Sequence, residues 1–359
     1  MRRLLILAVC LAAFAPCTAA ADTPAQNGSA AAHAFSPDIN AGDFAAHIKT
    51  LASDRFGGRA PGSEGARLTT DYLIAQFKRM GLAPGNHGQW LQEVPAVSTT
   101  LTNTDTKLVV RAGDRDLQFS YGDQYIAGTL KQQPQVDLGS SDVVFAGYGV
   151  DAPEYNWNDY AGIDVKGKTV IVLVNDPGWG NHDASLFKGR AMTYYGRWTY
   201  KYEEAARQGA AACFVVHETG GAGYPWAVVK NSWSGPQFAL PLTKAGDPVL
   251  PVAGWLTTES ARRLFAAAGK DFDALKAAAD RRGFKAEPLA AKASLKLQSD
   301  IGHIRSHNVL AMIKGSEAPD ETVIYTAHWD HLGTDPTLTG DQIYNGAIDN
   351  GTGVAALLE

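Results

Sequence analysis

The middle of the chain contains short apolar runs rich in β-branched residues, each bounded by Gly, Asp or Pro, which is typical of strands. The clearest are TKLVVRA, SDVVFAGYGV and KTVIVLVND. Helical patterns interrupt them. YKYEEAARQG ends at Gly209 before the strand-like run AAACFVV, and TTESARRLFAAAGK begins near Thr258 or Ser260. Strands and helices that alternate along the chain favour an α/β fold.

The composition disfavours two classes of partner, nucleic acids and membranes. With 359 residues, 45% hydrophobic and 19% charged, the chain is long enough for about two globular domains. A net charge of -5 provides no basic surface, so we expect no nucleic-acid partner. No apolar run in the body reaches the ~18 residues of a membrane span, so we expect no stable membrane insertion.

The N-terminus predicts export. Arg2 and Arg3 precede an apolar stretch that ends in the small residues Ala19, Ala20 and Ala21, as in a secretory signal peptide cleaved near Ala21. The alternative of a lipoprotein acylated at Cys10 or Cys17 is weaker, because Val9 and Pro16 are poor residues before such a cysteine. We expect a periplasmic or secreted protein.

Cysteine usage excludes a disulfide framework. Cys10 and Cys17 lie in the predicted signal peptide, which leaves only Cys213 in the mature chain. Cys213 lies inside AAACFVV and is predicted to be a small buried apolar residue. Stability must therefore come from a hydrophobic core, a metal, or both.

The region before the strand-rich stretch predicts a helix. In GRAPGSEGARLTTDYLIAQFKRMGLAPG, Ser63 is a candidate N-cap, Gly81 a candidate stop, and apolar residues recur on one face. The preceding glycines match no phosphate-binding motif and indicate turns.

The last sixty residues predict two strands, a loop and a helix. SHNVLAMIKG and ETVIYTAH are apolar strand candidates joined by SEAPD, and Asp349 or Asn350 is placed to cap the helix DNGTGVAALLE. His328 would then lie at the carboxyl end of a strand, where ligands collect in open α/β sheets.

Three side chains in this region are candidate site residues. His328 and Asp349 are 21 residues apart and could bind a cation, and Asp330 could hold the ring of His328 through its other nitrogen. The alternative is that His328 is a polar loop residue and Asp349 a turn or cap. His331 is expected only to pack or to be solvated.

Two motifs resemble the opening of the catalytic domain of the two-zinc exopeptidases. They are TVIYTAHWDHLG and IYNGAIDNGTGVAALLE, and the family includes secreted bacterial aminopeptidases and, more distantly, glutamate carboxypeptidase II and the transferrin receptor. The stretch from VVFAGYGV to VNDPG resembles the protease-associated domain that many members carry as an insertion. The resemblance implies a zinc-exopeptidase-like mixed sheet with helices, incomplete in this chain, plus an inserted β-rich domain.

The resemblance also implies roles for these residues. His328 would bind one zinc, Asp349 would bridge two, and Asp330 would orient His328 in a role that the family counts as catalytic. Two zinc ions are expected in a full-length parent, with peptides as substrates. The implied activity is that of an aminopeptidase.

The family also needs adjacent glutamates, an Asp and a His after Asp349, whereas the chain ends at Glu359. We therefore expect a truncated chain that is inactive by itself. One alternative is a non-catalytic binding ectodomain, which the cost of burying unneeded ionisable groups disfavours. Another is carboxypeptidase or glutaminyl cyclase chemistry on the same scaffold, which this sequence does not decide.

The expected organisation has five parts: a signal peptide (1–21), a flexible leader (22–42), the N-terminal part of the peptidase domain (43–130), the protease-associated insertion (131–299) and the start of the catalytic core (300–359). Aromatic residues of the insertion could line a substrate cleft or form its core; they are Tyr194, Tyr195, Trp198, Tyr224, Trp226 and Trp233. The oligomeric state stays open.

Overall fold

The computed structural model describes residues 33–242 and 248–359. The predicted signal peptide, both of its cysteines and residues 22–32 of the predicted leader lie outside the described residues. The described part of the leader contacts the first helix, because the ring of Phe35 stacks on that of His47 at 4.3 Å.

The described residues include eight α-helices: α1 (Ala41–Leu51), α2 (Glu64–Arg79), α3 (Trp198–Arg207), α4 (Thr219–Ala222), α5 (Trp226–Ser232), α6 (Thr258–Ala267), α7 (Phe272–Ala279) and α8 (Thr352–Leu358). Their boundaries follow from capping. Ser63 accepts a hydrogen bond from the Ala66 N–H at the start of α2, and Gly81 follows its last residues with a φ of 75°. Both predictions for α2 are therefore confirmed.

Eighteen strands lie in the described residues. They are β1 (Ala83–Pro84), β2 (Leu91–Leu101), β3 (Lys107–Ala112), β4 (Arg115–Ser120), β5 (Tyr125–Gly128), β6 (Gln135–Asp137), β7 (Ser141–Phe145), β8 (Asp151–Ala152), β9 (Trp157–Asn158), β10 (Thr169–Leu173), β11 (Ala212–His217), β12 (Gln237–Ala239), β13 (Val252–Thr257), β14 (Glu287–Ser294), β15 (Lys296–Val309), β16 (Ala311–Met312), β17 (Gly333–Thr334) and β18 (Ile343–Tyr344).

The largest sheet has eight strands in the order β4-β3-β14-β7-β10-β11-β13-β5. Its four central strands, from β7 to β13, are parallel, and the flanking strands pair antiparallel. Strand β10 is buried along its whole length, as expected of a central strand covered on both faces. The predicted α/β class is confirmed, with a mixed sheet.

The strands before residue 131 join the same sheet as the strands after it, because β3 pairs with β14 and β5 with β13. The boundary between residues 130 and 131 stays a prediction.

Cys213 is fully buried in β11, as predicted, and burial raises the pKa of its thiol.

A four-stranded sheet of order β12-β2-β15-β6 leads to the C-terminal part of the chain. The long antiparallel pair of β2 and β15 connects residues 91–101 with 299–309. A separate apolar cluster lies beside it; its buried members are Leu51, Phe56, Ala66, Leu73, Phe77, Trp329, Val354 and Leu358.

The prediction of a strand at ETVIYTAH is wrong. Residues 321–332 have no regular structure, and Val323, Ile324 and Tyr325 are exposed. In the described ranges no strand pairs with this segment, and an apolar run does not form a strand without a hydrogen-bonding neighbour. The predicted hairpin through SEAPD is therefore not formed.

None of the helices in residues 33–242 and 248–359 is long and apolar enough to cross a bilayer.

Candidate metal centre

The side chains of three consecutive residues alternate between solvent and core: His328 and Asp330 face solvent, and Trp329 faces the core. Trp329 is only 8% exposed and packs among side chains of α1, α2 and α8. Its indole N–H donates a hydrogen bond of 3.1 Å to the His307 carbonyl on β15. Because successive side chains of an extended segment point to opposite sides, the buried tryptophan directs both of its neighbours outward.

His328 lies between two carboxylates. Its Nε2 is 3.2 Å from Asp349 Oδ1, and its Nδ1 is 3.4 Å from Asp330 Oδ1. The same Nδ1 lies 3.2 Å from the Asp330 backbone carbonyl. In the tautomer with its proton on Nδ1, that proton faces Asp330, while Nε2 and Asp349 Oδ1 are both acceptors that a cation would hold together.

Asp349 is brought to His328 by the turn before α8. This wide helical turn spans Ala347–Gly351 and follows Gly346, whose φ is 62°. Asn350 accepts a hydrogen bond from the Gly353 N–H and donates one of 3.2 Å to the His328 carbonyl. Asn350, not Asp349, thus has the capping role, and the Asp349 carboxylate is free to face His328. The Asp349–Asn350 peptide bond is cis.

The spacing of the pair fits a zinc ion. Zinc bonds of roughly 2.0–2.2 Å at a tetrahedral angle separate a nitrogen and an oxygen ligand by about 3.4 Å. The observed separation of His328 Nε2 and Asp349 Oδ1 is 3.2 Å. Across the part of the chain that the structure describes, no group of three or more His, Cys, Asp or Glu residues could hold a metal. The site therefore provides two donors.

These side chains are more exposed than the sequence argument assumed. His328, Asp330 and Asp349 are 56%, 46% and 69% exposed. The argument against a binding ectodomain, which rested on the cost of burying ionisable groups, is therefore wrong.

His331 is half-buried, as a packing residue would be, and burial lowers its pKa.

Two contributors to this geometry were missed by the sequence reasoning. One is Trp329, an aromatic residue between His328 and Asp330 that has no metal-binding group of its own. The other is Arg59, whose guanidinium donates hydrogen bonds to the carbonyls of Trp329 and Gly346. The glycines before Arg59 were correctly assigned to a turn, since Gly57 and Gly58 have φ of 51° and 66°.

Most aromatic candidates of the predicted insertion pack against its core. Tyr195, Tyr224, Trp226 and Trp233 contact the two clusters of the eight-stranded sheet, whereas Tyr194 and Trp198 are exposed. The core interpretation accounts for the first four, and a cleft role for the aromatics stays a prediction.

Residues 308–359 match the sequence model of "Peptidase family M28". This part of the chain is therefore similar to peptidase family M28. The matched segment contains His328, Asp330 and Asp349, and it confirms the resemblance to the two-zinc exopeptidases stated from the motifs. No curated protein matches the chain significantly.

The solved structures that are similar to the chain include aminopeptidases. One from Aneurinibacillus sp. strain AM-1 is 20% identical, with 89% of this chain and 57% of that chain covered and a TM-score of 0.43. Two structures of BSAP, a zinc aminopeptidase from Bacillus subtilis, are 14% and 16% identical, cover 90% of this chain and 57% of theirs, and have TM-scores of 0.36. The chain thus spans 57% of the length of these solved chains, and the similarity to family M28 is confined to residues 308–359.

Proposed function

We propose that the C-terminal segment of this chain supplies part of the metal site of a zinc-dependent exopeptidase that removes N-terminal residues from peptides. His328 and Asp349 would hold zinc, and Asp330 would orient His328. The observation that carries the proposal is the 3.2 Å separation of His328 Nε2 and Asp349 Oδ1 inside the M28 segment. The similar solved structures include an aminopeptidase and a zinc aminopeptidase, which is the reaction and the metal proposed here.

Asp330 has a positioning task in this proposal. Its carboxylate and its backbone carbonyl both lie beside Nδ1 of His328, so they favour the tautomer that carries its proton there. Nε2 then keeps its lone pair for a cation. The exposed Asp349 carboxylate supplies an anionic oxygen beside Nε2, and the two groups together would hold a cation.

When bound, zinc lowers the pKa of a coordinated water to ~7 and polarises a substrate carbonyl. The two exposed donors leave one side of the site open to solvent, where an extended peptide could approach. A catalytic zinc usually has about three protein ligands, whereas this site provides two. We therefore expect weak zinc binding and no peptide hydrolysis by the 359-residue chain alone.

Metal analysis tests the assignment of the two ligands. Zinc affinity is measured by competition with a chromogenic chelator for the wild type, His328→Ala and Asp349→Ala. The matched control is His303→Ala, which removes an exposed histidine from β15. The proposal requires that both site variants lose zinc and that the control keeps it. Equal affinity in all four proteins would refute the site.

Hydrolysis of leucine p-nitroanilide tests the reaction. We expect no zinc-dependent release of nitroaniline by the 359-residue chain, and turnover by this chain would contradict the argument from ligand number. Where the coding region continues past Glu359, the same assay on its full product tests the exopeptidase assignment, with N-terminally acetylated leucine p-nitroanilide as the control. Loss of activity on acetylation distinguishes an aminopeptidase from an endopeptidase.

We also propose that the protein is exported through residues 1–21 and that residues 131–299 form a protease-associated insertion. N-terminal sequencing of protein recovered from the periplasm or medium tests the first proposal. A mature chain beginning near Asp22 supports cleavage of the signal peptide, and an intact Met1 contradicts it.

A further inference from the structure

The guanidinium of Arg59 is buried, and the groups to which it donates hydrogen bonds are all backbone carbonyls. It is 1% exposed, and its Nε donates to the Trp329 carbonyl at 2.8 Å. Nη1 donates to the carbonyls of Leu51 and Asn345, both at 2.6 Å, and Nη2 donates to that of Gly346 at 2.8 Å. One side chain thus connects the end of α1 with two separate loops.

The two loops are those that carry the proposed metal ligands. Trp329 lies between His328 and Asp330, and Gly346 lies three residues before Asp349. Arg59 therefore connects the backbone of the His328 loop to the backbone of the Asp349 loop. Its positive charge also interacts favourably with Asp330 and Asp349.

The backbone around Arg59 is shaped for this contact. Arg59 has a φ of 53°, which side-chain-bearing residues rarely adopt and which persists only where the surroundings enforce it. Gly58 lies so close to the carbonyls of Gly333 and Tyr344 that an added Cβ would overlap both. The turn therefore packs directly on the β17–β18 pair between the two loops.

Asn345 makes a second connection at the same place. Its side-chain amide donates to the Ala52 carbonyl at 2.9 Å and to Asp54 Oδ1 at 2.8 Å. These two bonds hold the Asp349 loop on the segment between α1 and Arg59, and they do not involve the guanidinium. It offers an independent way to loosen one loop.

We propose that Arg59 is a positioning residue for the metal site and sets the separation of His328 and Asp349 by bonding the backbone of both loops. This inference rests on the proposed function, because it assigns Arg59 to the same site. A planar guanidinium can donate to carbonyls on three segments at once, whereas a lysine ammonium is a single point and cannot span them. The Arg59→Lys variant thus keeps the charge and removes the connection.

The test compares Arg59→Lys with Arg55→Lys, which changes an exposed arginine of the same short helical segment, Asp54–Arg59. The first measurement uses metal-free protein and follows amide hydrogen exchange by mass spectrometry. We expect faster exchange in peptides covering 328–334 and 343–351 for Arg59→Lys, and unchanged exchange in the peptide covering 169–173. Unchanged exchange at both loops overturns the proposal, whether or not the protein binds zinc.

The second measurement is zinc affinity. We expect Arg59→Lys to weaken binding roughly 10–100-fold, the range found when residues that orient metal ligands are replaced, and Arg55→Lys to leave it unchanged. Wild-type affinity in folded Arg59→Lys overturns the positioning role.

The two measurements separate this inference from the proposed function. If the wild type binds no zinc but the loops of Arg59→Lys exchange faster, the proposed metal site fails and the connection of the loops by Arg59 stands. If Arg59→Lys does not fold, Arg59→Gln takes its place, because it removes the connection without leaving a buried charge. Wild-type exchange at both loops in that variant overturns the inference.

Discussion

Replacement of Trp329 by alanine should destabilise the C-terminal cluster strongly. Trp329 is 8% exposed and packs among Leu51, Phe77 and Leu358, so its removal leaves a cavity between three helices. It also leaves the His307 carbonyl without its 3.1 Å indole donor. Both losses act on the segment that presents His328 and Asp330.

The magnitude follows from the buried area. A tryptophan buries roughly 150–250 Å², and at ~25 cal/mol per Å² this corresponds to about 4–6 kcal/mol. Measured Trp→Ala costs of about 3–5 kcal/mol agree with this range. Trp329→Phe keeps most of the packing and loses the hydrogen bond, so about 1–2 kcal/mol is expected. The two variants therefore separate packing from hydrogen bonding.

The assay must report on this cluster alone, because the eight-stranded sheet has its own cores. Hydrogen exchange as a function of urea yields a local free energy of unfolding for α2, with β10 as the internal reference. Trp198→Ala is the control, since Trp198 is more exposed and contacts Tyr202 and Trp233 instead. A loss below about 1 kcal/mol at α2 in Trp329→Ala would refute the reasoning, because such a loss is typical of a surface substitution.

Two further predictions concern the N-terminal part of the chain. Gly58→Ala should destabilise the protein by more than the ~1–2 kcal/mol cost of a left-handed alanine, because its Cβ overlaps the Gly333 carbonyl. Gly57→Ala, which also has a positive φ but open space around its Cβ, should cost only that amount in urea unfolding, and equal losses would contradict the steric argument. The hydrogen bond from His33 lowers the pKa of Asp43 to about 2, so its contribution to stability is present above pH 3.8 and is lost as the pH falls towards 2. NMR titration of the Asp43 carboxyl tests this: His33→Ala should raise that pKa, and an unchanged value would show that other groups hold it low.

The helices were predictable because their signals are local. Ser63 caps α2 and Gly81 ends it within the same short stretch of sequence, so no distant residue was needed to locate either boundary. The strand run KTVIVLVND was predictable for a related reason, since β-branched residues are typical of buried strands and Thr169–Leu173 is a central strand.

The segment ETVIYTAH shows where this reasoning stops. Its residues have the composition of a strand, but a strand also needs a neighbour for its backbone N–H and C=O groups. No such neighbour is present for residues 321–328 in the described ranges, and Val323 to Tyr325 are exposed. Composition alone could not reveal this, because pairing is a property of the whole fold.

By itself the sequence determined which residues of the C-terminal segment could bind a metal. The HxD spacing places His328 and Asp330 on the same side of an extended chain, and the GAIDNGTG motif places Asp349 at the start of a helix. Only the tertiary structure decided that the two motifs meet. Arg59, about 270 residues earlier in the chain, bonds the backbone of both loops, and Trp329 directs its neighbours to solvent. The convergence depends on these long-range contacts, which no pattern local to the motifs contains.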